Sequence, residues 1–96
     1  MKITTPGPYY LGMNNSGRMP AGIFVVAFQG NLSSSVTASV QWSIDGVTWT
    51  DYAPSSPFTD SGSDSFYACE GLLFRIYVSG ASPSIYAVVN QAIARK

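Results

Sequence analysis

Residues 35–52, SVTASVQWSIDGVTWTDY, decide the fold, because hydrophobic periodicity, turn chemistry and large aromatic residues agree there. Apolar and polar residues alternate from Val36 to Ile44, which places the apolar side chains on one face of a β-strand. Asp45-Gly46 then supplies the positive-φ positions of a type I′ turn, whose twist matches that of the strands it joins. The stretch therefore predicts a β-hairpin closed by a two-residue loop.

The predicted loop fixes which residues face each other across the hairpin. With Asp45-Gly46 as the loop, Trp42 lies directly opposite Trp49. Directly opposite residues point to the same face of a sheet, so we expect the two tryptophans to be cross-strand neighbours in the core. The residues that hold this hairpin together are then Trp42, Asp45, Gly46 and Trp49.

The composition is that of one small domain with few surface charges. A chain of 96 residues has room for a single hydrophobic core. Charged residues make up 10% of the chain and its net charge is zero, whereas about a quarter of the residues of typical globular proteins are charged. Such a surface is poorly protected against association. We expect copies of the chain, for example in a trimer, or a larger protein assembly to cover part of it; the alternative is a monomer coated in uncharged polar groups.

The same composition argues against several classes of function. The chain has no histidine and a single cysteine, Cys69, so histidine-based catalysis, a disulfide framework and cysteine–histidine metal sites are excluded. The five basic residues form no stripe that would attract nucleic acid, and the longest apolar run, 21–28, is too short to cross a bilayer. The oxygen-rich stretch 60–65 lacks the bidentate Glu of a calcium loop. We therefore expect no enzyme activity, cofactor, metal, nucleic acid or membrane, and we expect Cys69 to be a small buried hydrophobe.

Residues 1–20 differ in composition from the rest of the chain. They contain three prolines and three glycines and show no sustained period, which predicts an extended N-terminal arm outside the core. Their apolar cluster is costly to leave in water, so we expect it to anchor on a neighbouring molecule. The anchoring residues are Tyr9, Tyr10, Leu11 and Met13. The alternative is that the segment packs on its own domain as a short edge strand around residues 8–12.

Residues 21–96 are expected to form the domain itself. The run Gly22 to Gln29 is apolar on both faces, which indicates a strand that is covered on both sides. Past a loop over 53–65, strands are predicted at 65–70, 72–79 and 84–93, although the last segment also suits a short helix. The predicted fold is all-β, a single antiparallel sandwich or small barrel with a jelly-roll-like arrangement. Candidate partner-binding residues on its sheets are Phe24, Val26, Phe28, Arg75 and Tyr77.

Two short resemblances involve the hairpin. The run SIDGVTW, residues 43–49, resembles the Asp-box of sialidase-type propellers, and it is similar to a hairpin of discoidin-like sugar and lipid modules. A carbohydrate-binding module, or a tail component that binds a receptor, is therefore the alternative function. Its stacking platform would use exposed aromatic residues, with Tyr52, Tyr77 and Tyr86 as candidates.

A broader resemblance covers most of the chain. The Pro/Gly-rich start, the apolar strand at 22–29, the Asp-Gly hairpin and the late strand at 74–78 resemble small all-β structural proteins of tailed-phage virions. The resemblance implies a non-enzymatic part of a capsid or tail, such as a decoration (cement) protein that binds the capsid. Such a protein is assembled in the cytoplasm of the host and resides in the virion.

Overall fold

The computed structural model describes residues 1–52 and 56–94, with side chains up to Ala92. Two antiparallel four-stranded sheets pack against each other, so the predicted all-β sandwich is confirmed. The strands are β1 (Lys2–Ile3), β2 (Gly7–Tyr10), β3 (Gly22–Gly30), β4 (Thr37–Ser43), β5 (Thr50–Asp51), β6 (Gly62–Ala68), β7 (Leu73–Ser79) and β8 (Ile85–Ala94). Sheet A has the strand order β1-β8-β3-β6, and sheet B has the order β2-β7-β4-β5.

The strand pairing has a simple rule. The first strand pairs with the last, β2 with β7, β3 with β6, and β4 with β5, all antiparallel. The chain is therefore a ribbon of paired strands, and this ribbon is folded over so that β3 also pairs with β8 and β4 with β7. This order is that of a jelly roll.

The core lies between the sheets and follows from period-2 alternation in the long strands. In β3 the side chains of Phe24, Val26 and Phe28 point inward and are 5%, 1% and 2% exposed. In β7, which corresponds to the strand predicted at 72–79, Phe74, Ile76 and Val78 point inward and are fully buried. Aromatic rings join the two layers, since the Phe66 ring lies 5.6 Å from that of Phe24 and 5.3 Å from that of Phe74, centroid to centroid.

The N-terminal segment is part of the sandwich, which corrects the expectation of an arm outside the core. Its first strand pairs with β8 and its second with β7, so it supplies one edge of each sheet. Ile3 is fully buried and Leu11 is 5% exposed. Pro8 is compatible with β2 because an edge strand leaves one side of its backbone unpaired. The edge-strand alternative is the one that the structure has.

The predicted hairpin forms between β4 and β5, but its register is wrong by one residue. Trp42 pairs with Thr50 and Gln41 with Asp51, so the connection spans residues 44–49 rather than two residues. One Asp45 carboxylate oxygen accepts hydrogen bonds from the Val47 and Thr48 amides, both at 2.9 Å. This turn, stabilised by a side chain, stands in place of the predicted two-residue turn. Because the register is shifted by one residue, the side chains after the turn point to the opposite face of the sheet.

The two tryptophans consequently lie on opposite faces of sheet B, which contradicts their predicted pairing. Trp42 packs against the core, half-buried. Trp49 lies on the outer face, where its ring covers the Arg75 guanidinium at 4.3 Å. Its indole N–H donates to the Gly46 carbonyl at 3.2 Å, so the loop itself holds the ring in place.

The segment after β5 contains more structure than the predicted loop over 53–65. Residues 53–55 of that loop lie outside the described residues. Phe58 forms an antiparallel bridge with Ala38, through hydrogen bonds of 2.7 and 3.2 Å, and β6 already begins at Gly62. The final segment is the predicted strand rather than a helix. Cys69 is exposed, against the expectation of burial, because it follows the last inward residue of β6, Ala68.

Candidate functional site

The candidate contact residues of β3 are not available to a partner. Phe24, Val26 and Phe28 form the inner face of the strand and fill the sandwich core. The sequence showed that both faces of this strand are apolar, but it did not show which face the sandwich covers. Of the predicted sheet candidates, Arg75 and Tyr77 are accessible, and both lie on the outer face of sheet B.

The four predicted anchor residues of the N-terminal segment are not brought together. Leu11 belongs to the core, and Tyr9 is half-buried against it. Tyr10 and Met13 are 40% and 78% exposed, but Met13 lies in a short 3₁₀ turn beyond β2 while Tyr10 packs beside Trp49. The segment therefore offers two separate exposed side chains rather than one contact patch.

An exposed apolar surface instead covers the outer side of sheet A. On β3, Val25 is 39% exposed, and on β8 Tyr86 and Val88 are 59% and 51% exposed. The pairing register places Ala27 opposite Val88 and Ile23 opposite Tyr67, so the apolar positions run across neighbouring strands. We call this surface the outer apolar face and define it as Ile23, Val25, Ala27, Tyr67, Tyr86 and Val88.

Charge is almost absent from the outer apolar face. Among the outward positions of the described strands of sheet A, only Lys2 is charged. Its ammonium group lies 4.1 Å from the centre of the Tyr86 ring and donates to the Ser84 hydroxyl at 3.0 Å. The second apolar set of β3 was visible in the sequence, but only the pairing of Ala27 with Val88 shows that the face extends to β8. Val25, in contrast, lies between Ser65 and Asn90.

Sheet B carries a different cluster on its outer face, centred on Arg75. The guanidinium lies 4.3 Å from the Trp49 ring centre and 5.0 Å from the Tyr77 ring centre. Tyr10 is the partner of Arg75 on β2, and its ring centre lies 5.8 Å from that of Trp49. We call this group, Tyr10, Trp49, Arg75 and Tyr77, the arginine cluster. Trp49 belongs to the arginine cluster because of the observed hairpin register. The sequence pattern predicted a different register and therefore did not reveal this cluster.

A groove of about 500 Å³ opens between the two sheets beside β8. Its lining includes Leu11, Met19, Phe24 and Val89, and it lies where the chain passes from β2 in sheet B to β3 in sheet A. The side chains that line it are uncharged, and they include the polar Tyr10 and Asn15 beside the apolar ones. The α-ammonium group of Met1 donates to the Ala87 carbonyl at 2.8 Å.

The aspartates of the loops and of β6 accept local hydrogen bonds. Asp60 and Asp64 each accept a hydrogen bond from the next backbone amide, at 2.8 and 2.7 Å. Hydrogen bonds from the Thr48 and Val47 amides and from the Ser43 hydroxyl hold the pKa of Asp45 below its ordinary value. In the part of the chain that the structure describes, no three metal-ligating side chains lie together, and no helix is long and apolar enough to span a membrane.

The chain was compared with protein-family models, with curated proteins and with solved structures. None of them matches it. The function is therefore argued from the two outer faces of the sandwich and their chemistry.

Proposed function

We propose that this protein is a non-enzymatic structural component of a virion, most specifically a decoration (cement) protein that stabilises a capsid through protein–protein contacts. The observation that supports this proposal is the outer apolar face of sheet A. It exposes two large side chains, Tyr86 and Val88, by more than half on a surface with one charged group. Exposed apolar patches on small soluble domains mark contact sites for other macromolecules.

The shape and chemistry of the face suit a protein partner. Burial of one large apolar side chain contributes about 1.5 to 3 kcal/mol, so several exposed side chains on adjacent strands provide a useful driving force. Tyrosine is enriched where protein interfaces concentrate their binding energy. The face has two, Tyr67 and Tyr86, at opposite edges of the apolar strip.

Fold and composition add support. Jelly rolls occur in viral capsid domains and in lectins, although a fold alone does not determine function. A charged fraction of 10% and a net charge of zero provide little electrostatic repulsion between copies. A closed ring such as a trimer would satisfy identical apolar patches without open-ended growth. The proposal therefore includes self-association, residence in the virion and assembly in the host cytoplasm.

The test is sedimentation of particles from cells that make the protein, with the chain quantified by mass spectrometry in pellet and supernatant. We expect the natural chain to sediment with the particles. Val88→Lys places a charge in the outer apolar face and should move most of the chain to the supernatant. Ser79→Lys is the matched control, because Ser79 is an exposed strand residue of sheet B. Equal sedimentation of the two variants, or no sedimentation of the natural chain, would contradict the proposal.

A further inference from the structure

The Arg75 side chain is held in one orientation by a chain of hydrogen bonds. Its Nε donates to Gln41 Oε1 at 2.8 Å, and Gln41 Nε2 donates to Asp51 Oδ1 at 2.9 Å. The Gln41 amide thus stands between the guanidinium and the Asp51 carboxylate. A group fixed in this way loses little conformational freedom when a ligand binds to it.

The terminal nitrogens of Arg75 remain as donors. Within residues 1–52 and 56–94, neither of them makes a hydrogen bond or an ion pair. Arg75 is half-buried, and no carboxylate contacts its guanidinium within the described residues. The end of the guanidinium presents a planar fork of N–H groups, whose geometry matches the two oxygens of a carboxylate.

Two aromatic rings lie against the guanidinium, and a third lies next to one of them. Trp49 and Tyr77 contact the guanidinium, and Tyr10 lies beside Trp49 at 5.8 Å. Tyr10 and Tyr77 are 40% and 37% exposed, so their rings offer apolar surface to a ligand next to the cation. A few polar groups among aromatic side chains are typical of small-ligand sites.

We propose that the arginine cluster binds a carboxylate-bearing sugar, of the uronic or sialic acid type. The sugar carboxylate pairs with the terminal nitrogens of Arg75, and a C–H face of the pyranose ring packs on Tyr10 or Tyr77. A lone carboxylate would use the fork but leave the rings unused, and the three rings favour a ligand of sugar size. This site goes beyond the proposed structural function, because it lies on the sheet opposite to the outer apolar face.

The test is NMR titration of the ¹⁵N-labelled full chain with glucuronic acid and with N-acetylneuraminic acid. We expect saturable shifts of the Arg75 Nε–H and Trp49 Nε1–H signals, with a Kd of about 1 mM or tighter. The Trp42 indole signal is the internal reference, because Trp42 packs on the other face. Glucose tests the need for the carboxylate, and acetate tests the need for the sugar.

Arg75→Gln should weaken binding at least tenfold while core amide signals stay in place. Tyr77→Ala is the second variant if Arg75→Gln does not fold, and it should weaken binding of the acidic sugars without creating binding of glucose. Absence of saturable shifts would overturn the proposal. Equal affinity for acetate would also overturn it, and would point to an acidic side chain of a protein partner as the ligand. Neither of these two results bears on the proposed structural function, which the sedimentation of the Val88→Lys variant tests separately.

Discussion

At the scale of single residues, the Ser43–Asp45–Gly46 group determines how the central hairpin closes. The buried Ser43 hydroxyl donates to Asp45 Oδ1 at 3.0 Å and accepts from the Gly46 amide at 2.8 Å. Gly46 adopts φ of 79°, a conformation that favours glycine. Asp45-Gly46, the pair that suggested a two-residue turn, therefore lies in a longer turn. In this turn the Asp45 carboxylate accepts the hydrogen bonds that backbone carbonyls accept in a tight turn.

The hydrogen bonds to Asp45 predict a pH dependence of this loop. The pKa of Asp45 is lower in the folded chain than in the unfolded one, so its contribution to stability is present above the unfolded pKa. That contribution is lost as the pH falls through the folded pKa. We expect the Val47 and Thr48 amides to exchange faster with solvent in acid, as measured by NMR.

Asp45→Asn is the control for this prediction, because it keeps an acceptor oxygen but cannot titrate. In this variant the exchange of the two amides, corrected for the intrinsic rate, should not change between neutral and acid pH. An identical acid response in both proteins would show that another group controls the loop.

The two tryptophans should differ in their contribution to stability. Trp42 packs against the core, so Trp42→Ala should lower the free energy of unfolding by about 3 kcal/mol. Trp49 covers Arg75 on the outer face, and Trp49→Ala should cost only about 1 kcal/mol. Urea unfolding followed by far-UV circular dichroism measures both values. If both variants lost about 3 kcal/mol of unfolding free energy, both tryptophans would lie in the core, as the sequence predicted.

At the scale of elements, β1 and β2 complete the jelly roll, which reverses the expectation that the core does not need the N-terminal segment. Ile3 is fully buried, so Ile3→Ala should lower the free energy of unfolding by about 3 kcal/mol. Met13→Ala is the matched control, because Met13 is 78% exposed and its truncation should change stability by less than about 0.5 kcal/mol.

Deletion of residues 1–10 should prevent stable folding. A deletion variant that unfolds at the same temperature as the full chain would contradict this assignment.

The long strands were predictable because their side chains alternate regularly. Strand β7 follows the expected pattern, with Phe74 inward and Tyr77 outward, and β8 was identified from its β-branched residues. Strand β1 was not predicted, and β2 was predicted only as the alternative to an extended arm. A two-residue strand and a four-residue strand with a proline carry too few positions to show a period. Their place is set by distant partners, β8 and β7.

The candidate site was less predictable than the fold. Both apolar sets of β3 look equivalent in the sequence, and the choice between Phe24 and Val25 as the inward residue depends on the packing of whole sheets. Trp49 reaches Arg75 because one side chain, Asp45, lengthens the hairpin loop. A one-residue change of register is invisible to patterning, although it moves a large aromatic residue to the other face.

At the scale of the whole molecule, the two outer faces of the sandwich differ in chemistry. Sheet A presents the outer apolar face with one lysine, whereas sheet B presents the arginine cluster, with Gln41 and Asp51 beside it. This difference suits a protein that attaches to an assembly by one sheet and leaves the other accessible. We propose that sheet A is the attached side.

Hydroxyl-radical footprinting of the free chain and of the chain bound to its particle shows which sheet is attached. Tyr86 reports on sheet A and Tyr77 on sheet B, and both are exposed in the isolated chain, by 59% and 37%. We predict that attachment reduces the oxidation rate of Tyr86 at least fivefold, while the rate at Tyr77 stays within a factor of two. Protection of Tyr77 with unchanged oxidation of Tyr86 would show that sheet B, and not sheet A, is attached.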